Sequence, residues 1–290
     1  VILNYNTKEW LERCVRSIFE HTKGIQFDVW VVDNASPDGS AEMMREKFPQ
    51  ARLIANPENV YVARGFNLGL RASQGRYAFI GDADLEFTDN LLGRMVEFMD
   101  QNKTLAALGC PFYYPDGRFF SQCYSRDHTW LFSLLNFSFL SKVFSGAYRK
   151  MRHHFEYGDW DRKSSRYVDI IDTAILYRRA ALDQSGLYDE KFNFYGIQND
   201  ICLRIREAGW GLYYLYEGHL IHAQHQSVGK ESWSKISAFY RRDIAHYLRK
   251  RYGLLASSMV MGLLQFTRFL LRAAIFVRLY KPRKNIAFGT

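Results

Sequence analysis

The 290-residue sequence predicts an α/β fold built on a mostly parallel sheet, and two observations carry that prediction. Short β-branched or aromatic runs alternate with segments whose apolar residues recur at helical spacing, as right-handed strand–helix–strand crossovers require. The runs also end in polar residues: Asn4, Asp33 and Asp82 all fall at strand exits, the edge where parallel sheets bind ligands.

Val1 to Asn6 is the first such run, and Trp10 to Phe19 follows with Leu11, Cys14, Val15, Ile18 and Phe19 on one helical face. Phe27 to Val32 is a second strand, ending in Asp33-Asn34-Ala35-Ser36-Pro37-Asp38-Gly39-Ser40, which is dense in turn formers and oxygen side chains. A helix over 41–48, a strand over 51–55, a helix over 63–73 and a strand over 77–81 complete the alternation. The last strand runs into Gly81-Asp82-Ala83-Asp84. Side chains alternate along an extended backbone, so Asp82 and Asp84 point to one side and offer hard oxygen ligands for Mg²⁺ or Mn²⁺ carrying phosphate. The same pair also reads as a solvated loop after a strand.

Leu91 to Gln101 is an amphipathic helix and Leu105 to Tyr113 a further strand. Residues 130–151 are aromatic, apolar and irregular, and read either as a mobile, partly helical insert over the site or as a peripheral packing element. Tyr167 to Tyr177 reads as a strand leading into a helix over 179–185, and Asn199 to Ala208 as a helix stopped by Gly209. Gly211 to Tyr216 is an aromatic strand, with His222 and His225 in the loop beyond it.

The formal net charge of +9 fits nucleic acid, an anionic membrane or an anionic small molecule. No nucleic-acid-binding motif accompanies it, and the basic residues concentrate between Lys230 and Lys284 around an apolar stretch, so no nucleic-acid partner is expected. That stretch, Leu254 to Tyr280, carries Gln265, Arg268 and Arg272 in one narrow helical stripe with Arg278 off it. A spanning helix rarely holds charges near its centre. The segment therefore reads as an interfacial helix with its arginines toward lipid headgroups, or as a soluble helix with its polar stripe outward. Cys14, Cys110, Cys123 and Cys202 match no zinc or redox spacing and suit buried thiols in a reducing compartment. Val1 lies inside an apolar run without an initiator Met, which suggests preceding residues.

In their order and spacing, these motifs resemble the family 2 glycosyltransferases of GT-A fold, and among them the rhamnosyltransferase-like enzymes of bacterial surface polysaccharide synthesis. The resemblance spans Val1 to about Lys250. It rests on Val1 to Asn6, Val32 to Ser40, Asn59 through Asn67-Leu68-Gly69, Asp82-Ala83-Asp84, Gly186-Leu187-Tyr188-Asp189-Glu190, Cys202-Leu203-Arg204, Ala208-Gly209-Trp210 and His222.

It implies a GT-A domain, placed over residues 1–230, and the basic and apolar pattern described above reads as membrane-associated helices over 231–290. The implied activity is inverting transfer from a UDP- or dTDP-sugar to a lipid-linked or surface polysaccharide acceptor, at the inner face of the cytoplasmic membrane. Asn4, Asp33, Asn34, Asn67 and Asp82 would then bind the nucleotide sugar, and Asp82, Asp84 and His222 the metal. The family's base, a Glu-Asp pair before the Leu-x-Arg helix, falls on Ile197 and Gln198. Gln cannot accept a proton at neutral pH, which leaves Asp200 as the nearest carboxylate or as a helix N-terminal residue facing the dipole. A homologue that binds nucleotide sugar or glycan without turnover is the alternative. Val60 stands where the family usually has glycine, which bears on the shape of the nucleotide pocket.

Overall fold

A computed structural model describes residues 1–120, 124–223 and 233–276. Cys123, His225 and Arg278, named above, lie outside them. The first half alternates as expected: β1 (Ile2–Asn4), α1 (Lys8–His21), β2 (Trp30–Asp33), α2 (Ser40–Lys47), β3 (Arg52–Ala55), α3 (Tyr61–Ala72) and β4 (Tyr77–Asp82). On α1 the buried residues Leu11, Cys14, Val15 and Ile18 follow the helical repeat and cover the sheet. Strand β1 pairs in parallel with both β2 and β4, and β2 with β3. The spatial order β4-β1-β2-β3 reverses chain order between β1 and β4, which opens a crevice at their carboxyl ends.

The chain continues through β5 (Leu85–Phe87), α4 (Leu91–Gln101), β6 (Leu105–Gly109), β7 (Phe112–Tyr113), β8 (Phe119–Phe120) and β9 (Tyr124–Ser125). Next come α5 (Trp130–Asn136), α6 (Leu140–Val143), α7 (Ser145–Phe155), β10 (Arg166–Tyr167), β11 (Ile170–Ile171), β12 (Ile175–Arg178) and α8 (Arg179–Ser185). The described chain closes with α9 (Ile197–Glu207), β13 (Gly211–Tyr214), β14 (Leu220–His222) and α10 (Trp233–Phe276).

The main sheet has eight strands in the order β10-β13-β6-β12-β4-β1-β2-β3, and β12 runs antiparallel to both β4 and β6. Two strands expected to be continuous are broken. The run from Leu105 stops at Gly109 and resumes as β7 after Pro111, whose ring removes a ladder donor. The run from Tyr167 divides into β10, β11 and β12. Of the pieces, β7 joins the small sheet β5-β14-β7-β8 and β11 pairs with β9, while β6, β10 and β12 stay in the main sheet.

The irregular stretch after residue 129 forms three short helices. It docks on α10 through the Phe139 amide, which donates to Thr267 Oγ1 at 3.1 Å, and through the ring of Phe139 against Phe266. Helix α10 is broken at Gly253, where a φ of 84° suits a residue without Cβ. Before the break, Ile244, Tyr247 and Leu248 join the main core, and Asp243 accepts from the backbone amides of Asn193, Phe194 and Tyr195. After the break the outward face is apolar: Leu255 is 77% exposed and Phe269 65%. Arg268 turns inward and donates to Ser237 Oγ at 2.8 Å. Both readings of this segment put its polar stripe outward. Of that stripe the fold turns Arg268 inward, toward its partner on the preceding half of the same helix, and leaves Gln265 and Arg272 exposed.

Candidate active site

Two sheets meet at the exit of β4. Asp82 is the last residue of that strand, the turn at Ala83-Asp84 hands the chain to β5, and β14 pairs with β5 so that His222 lies opposite Leu85. This pairing brings His222 Nε2 to 3.2 Å from Asp84 Oδ1. The backbone then fixes the turn, since the Ala223 amide donates to the Asp84 carbonyl at 3.0 Å. Ligand atoms from Asp82, Asp84 and His222 all lie within 4.8 Å of one another. His222, expected in a loop, is a strand residue.

The donor set fits a divalent cation. His222 Nδ1 is buried with no hydrogen bond among the described residues, and the buried Oδ1 of Asp84 meets only the His222 imidazole, a costly state for polar atoms unless a further ligand is held there. Two carboxylates and an imidazole suit Mg²⁺ or Mn²⁺. Burial and then the Asp84 charge push Asp82 up to about 6. Burial opposes charge on the His222 imidazole, but Asp84, Asp82 and Asp172 together outweigh it and raise its pKa above the ordinary value.

Beside this cluster, Asn4 and Asp33 end neighbouring strands in register. Asn4 Nδ2 donates to Asp33 Oδ1 at 2.6 Å, and Ser36 adds its amide to Oδ2 at 2.9 Å and its hydroxyl to Oδ1 at 2.6 Å. Asp33 is thus set in one orientation at the crevice edge. Asn34 donates to the Tyr61 carbonyl at 3.2 Å and accepts from Asn56 at 2.9 Å. The backbone irregularity in this stretch falls at Tyr61, with a φ of 62°, rather than at Val60, whose φ is −89°. A bulky residue in the left-handed region marks strain, here pinned by the Asn34 side chain and by the ring of Phe239 against Tyr61.

Asn67 and Asp200 are placed elsewhere. Asn67 is fully buried, donates to the Tyr188 carbonyl at 2.8 Å and to Glu190 Oε1 at 2.9 Å, and accepts from the Tyr188 amide at 3.0 Å. Its amide is spent on the turn over 186–190, which it clamps to α3. Asp200 is 3% exposed, with Oδ2 2.9 Å from Arg204 Nε and Oδ1 2.7 Å from Lys250 Nζ. Arg204 also donates to the carbonyls of Ser185, Gly186 and Leu187. A carboxylate with both oxygens in ion pairs is a poor base. Gln198 lies half-buried in the first turn of α9.

One carboxylate escaped the sequence reading. Asp172 follows β11 and lies open to solvent. Next to it, Thr173 Oγ1 contacts Asp82 Oδ2 at 3.5 Å. The available signal was an apolar pair ending in Asp, Ile170-Ile171-Asp172, the pattern already noted at Asp33 and Asp82.

Residues 1–186 match the family described as Glycosyl transferase family 2. The chain belongs to that family. This glycosyltransferase is 23% identical over 256 residues to an N-acetylglucosaminyl-diphospho-decaprenol L-rhamnosyltransferase of Mycobacterium tuberculosis, covering 83% of this chain and 80% of the relative. It is 25% identical to the uncharacterized glycosyltransferase YfnE of Bacillus subtilis, covering 78% of this chain and 64% of that one. Among solved structures it resembles GalNAc-T7 with UDP, GalNAc and Mn²⁺ (TM-score 0.58, 14% identity, 98% of this chain and 58% of that one). It also resembles the mannosyltransferase PcManGT of Pyrobaculum calidifontis in complex with GDP-Man and Mn²⁺ (TM-score 0.53, 17% identity, 97% of this chain and 80% of that one). These likenesses show the GT-A fold.

Proposed function

We propose that this glycosyltransferase moves a sugar, with inversion, from a UDP- or dTDP-sugar to a lipid-linked glycan at the cytoplasmic face of a membrane. The observation that carries the reading is the Asp82–Asp84–His222 cluster at the crevice where strand order reverses. Asp33, oriented by Asn4 and Ser36, accepts hydrogen bonds from the base imide or the ribose. Asn34 shapes the neighbouring wall through Tyr61. Asp84 and His222 hold the divalent ion with Asp82, which also faces the ribose. When bound, that ion supplies charge neutralisation for the leaving nucleoside diphosphate.

The acceptor class is supported by two observations. The mycobacterial relative is named for a diphospho-decaprenol acceptor, and the exposed apolar face of α10 offers a surface for lipid. The helix is also long and apolar enough to cross a membrane. The test is donor turnover with Mg²⁺ or Mn²⁺ in wild type and Asp84→Ala, across a panel of UDP- and dTDP-sugars. Loss in the variant is expected; equal rates would sink the metal assignment.

A second reading, a homologue that binds donor without transfer, is favoured by Gln198 at the expected base position and by the paired state of Asp200. Calorimetric nucleotide binding in the absence of any product would select it.

A further inference from the structure

Inverting transfer needs a carboxylate or equivalent base on the acceptor side of the crevice, and the residues expected to supply it do not. Position 198 is Gln, and Asp200 is locked between Arg204 and Lys250. The other carboxylates near the crevice are committed: Asp33 to Asn4 and Ser36, Asp243 to three backbone amides. Asp82 and Asp84 belong to the cation cluster.

Asp172 is the exception. It is solvent-open, and among the described residues no hydrogen bond or ion pair occupies its oxygens. It stands outside the group of ligand atoms formed by Asp82, Asp84 and His222, yet its charge is felt by both Asp82 and His222. Strand β11, which it follows, packs against α9, whose first turn carries Gln198. Asp172 therefore sits between the cation cluster and the start of α9, the side on which the missing base was expected. Its position is enforced. Thr173 contacts Asp82, β12 is locked antiparallel to β4, and Ala174 is held at a φ of 48°, a strained value for a residue with a Cβ. Strain of this kind persists only where the surroundings dictate it, and it gathers at functional sites.

We infer that Asp172 is the catalytic base of this enzyme, an inference that rests on the transfer reading above. The acceptor hydroxyl oxygen bonds to the anomeric carbon of the donor while its proton passes to a carboxylate oxygen of Asp172. The bond from that carbon to the diphosphate oxygen breaks, and the nucleoside diphosphate leaves with the electron pair.

The test uses the full chain, UDP- and dTDP-sugars as donors and octyl glycosides as acceptors. Asp172→Asn and Asp172→Ser should lower kcat by about 10²-fold or more. Their affinity for UDP or dTDP with Mn²⁺, measured by calorimetry, should stay within about twofold of wild type, because the lost interaction exists only in the transition state. Added formate should restore part of the turnover of Asp172→Ser, a rescue that a purely structural role would not show. Full turnover in either variant overturns the assignment, and so does a loss of nucleotide affinity in folded protein, which would move Asp172 to the donor site. Absence of transfer by the wild type with every donor would instead overturn the transfer reading, and the base with it.

Discussion

Two regions carry the polar residues that stand out in this sequence, and they use them in opposite ways. At the exits of β1, β2 and β4, the carboxylates border an open crevice, and the buried Oδ1 of Asp84 meets only the His222 imidazole among the described residues. In the region joining the 186–190 turn, α9 and α10, polar residues of equal prominence close on one another: Asn67 on Tyr188, Arg204 on three carbonyls and Asp200, Asp189 on His246 and Lys250. A motif marks a constraint, and only the partner of each side chain tells whether that constraint is chemical or architectural.

Breaking each region should therefore give a different signature. The largest effect is expected from Asp84→Ala, with Mn²⁺-dependent turnover falling by about 10² to 10³-fold, the scale of losing a preorganised electrostatic element. Thermal denaturation should show a melting point equal to or above that of wild type, since removing a carboxylate from the crowded cluster relieves repulsion. In the clamp, Asp200→Ala leaves the Arg204 guanidinium without its carboxylate and should cost about 3 kcal/mol, read from urea denaturation. Asn67→Ala strands the buried amide and carbonyl of Tyr188 and should cost about 2 kcal/mol in the same measurement. Turnover per folded molecule should change far less in either variant than in Asp84→Ala.

A smaller effect concerns pH. Burial works against the Asp189 charge, but His246, Lys250 and the Lys191 amide outweigh it and hold this carboxyl well below the usual carboxylate range. A depressed pKa in the folded state means that the contact stabilises above the unfolded value and loses its contribution as pH falls. Asp189→Asn should thus be about 1 kcal/mol less stable than wild type at pH 7, with the gap shrinking below about pH 4. A gap that is constant with pH would show that α10 docks on this turn by packing alone.

Phe269→Asp and Leu255→Asp replace exposed apolar groups, so stability should move by less than about 0.5 kcal/mol. Sedimentation with vesicles containing anionic lipid should weaken. Undiminished vesicle binding would remove the α10 face from the membrane proposal.

The strand–helix alternation of the first half, the exits at Asn4, Asp33 and Asp82, and the Asp82–Asp84 pair were all legible in the sequence. They depend on local periodicity and on the rule that parallel sheets gather their ligands at one edge. Membership in the family was legible too, from the order of the motifs. What only the tertiary structure decided were contacts between distant segments. The pairing of β14 with β5 carries His222 to Asp84 across more than a hundred residues, and no local pattern marks those two short strands. The partners of Asn67, Asp200 and Arg268 lie on other elements or beyond a helix break, so their burial and pairing could not be read from neighbours in the chain. Asp172 became visible for the same reason. Its place in the crevice follows from β12 lying antiparallel to β4, a reversal that the run from Tyr167 to Tyr177 concealed by reading as one strand.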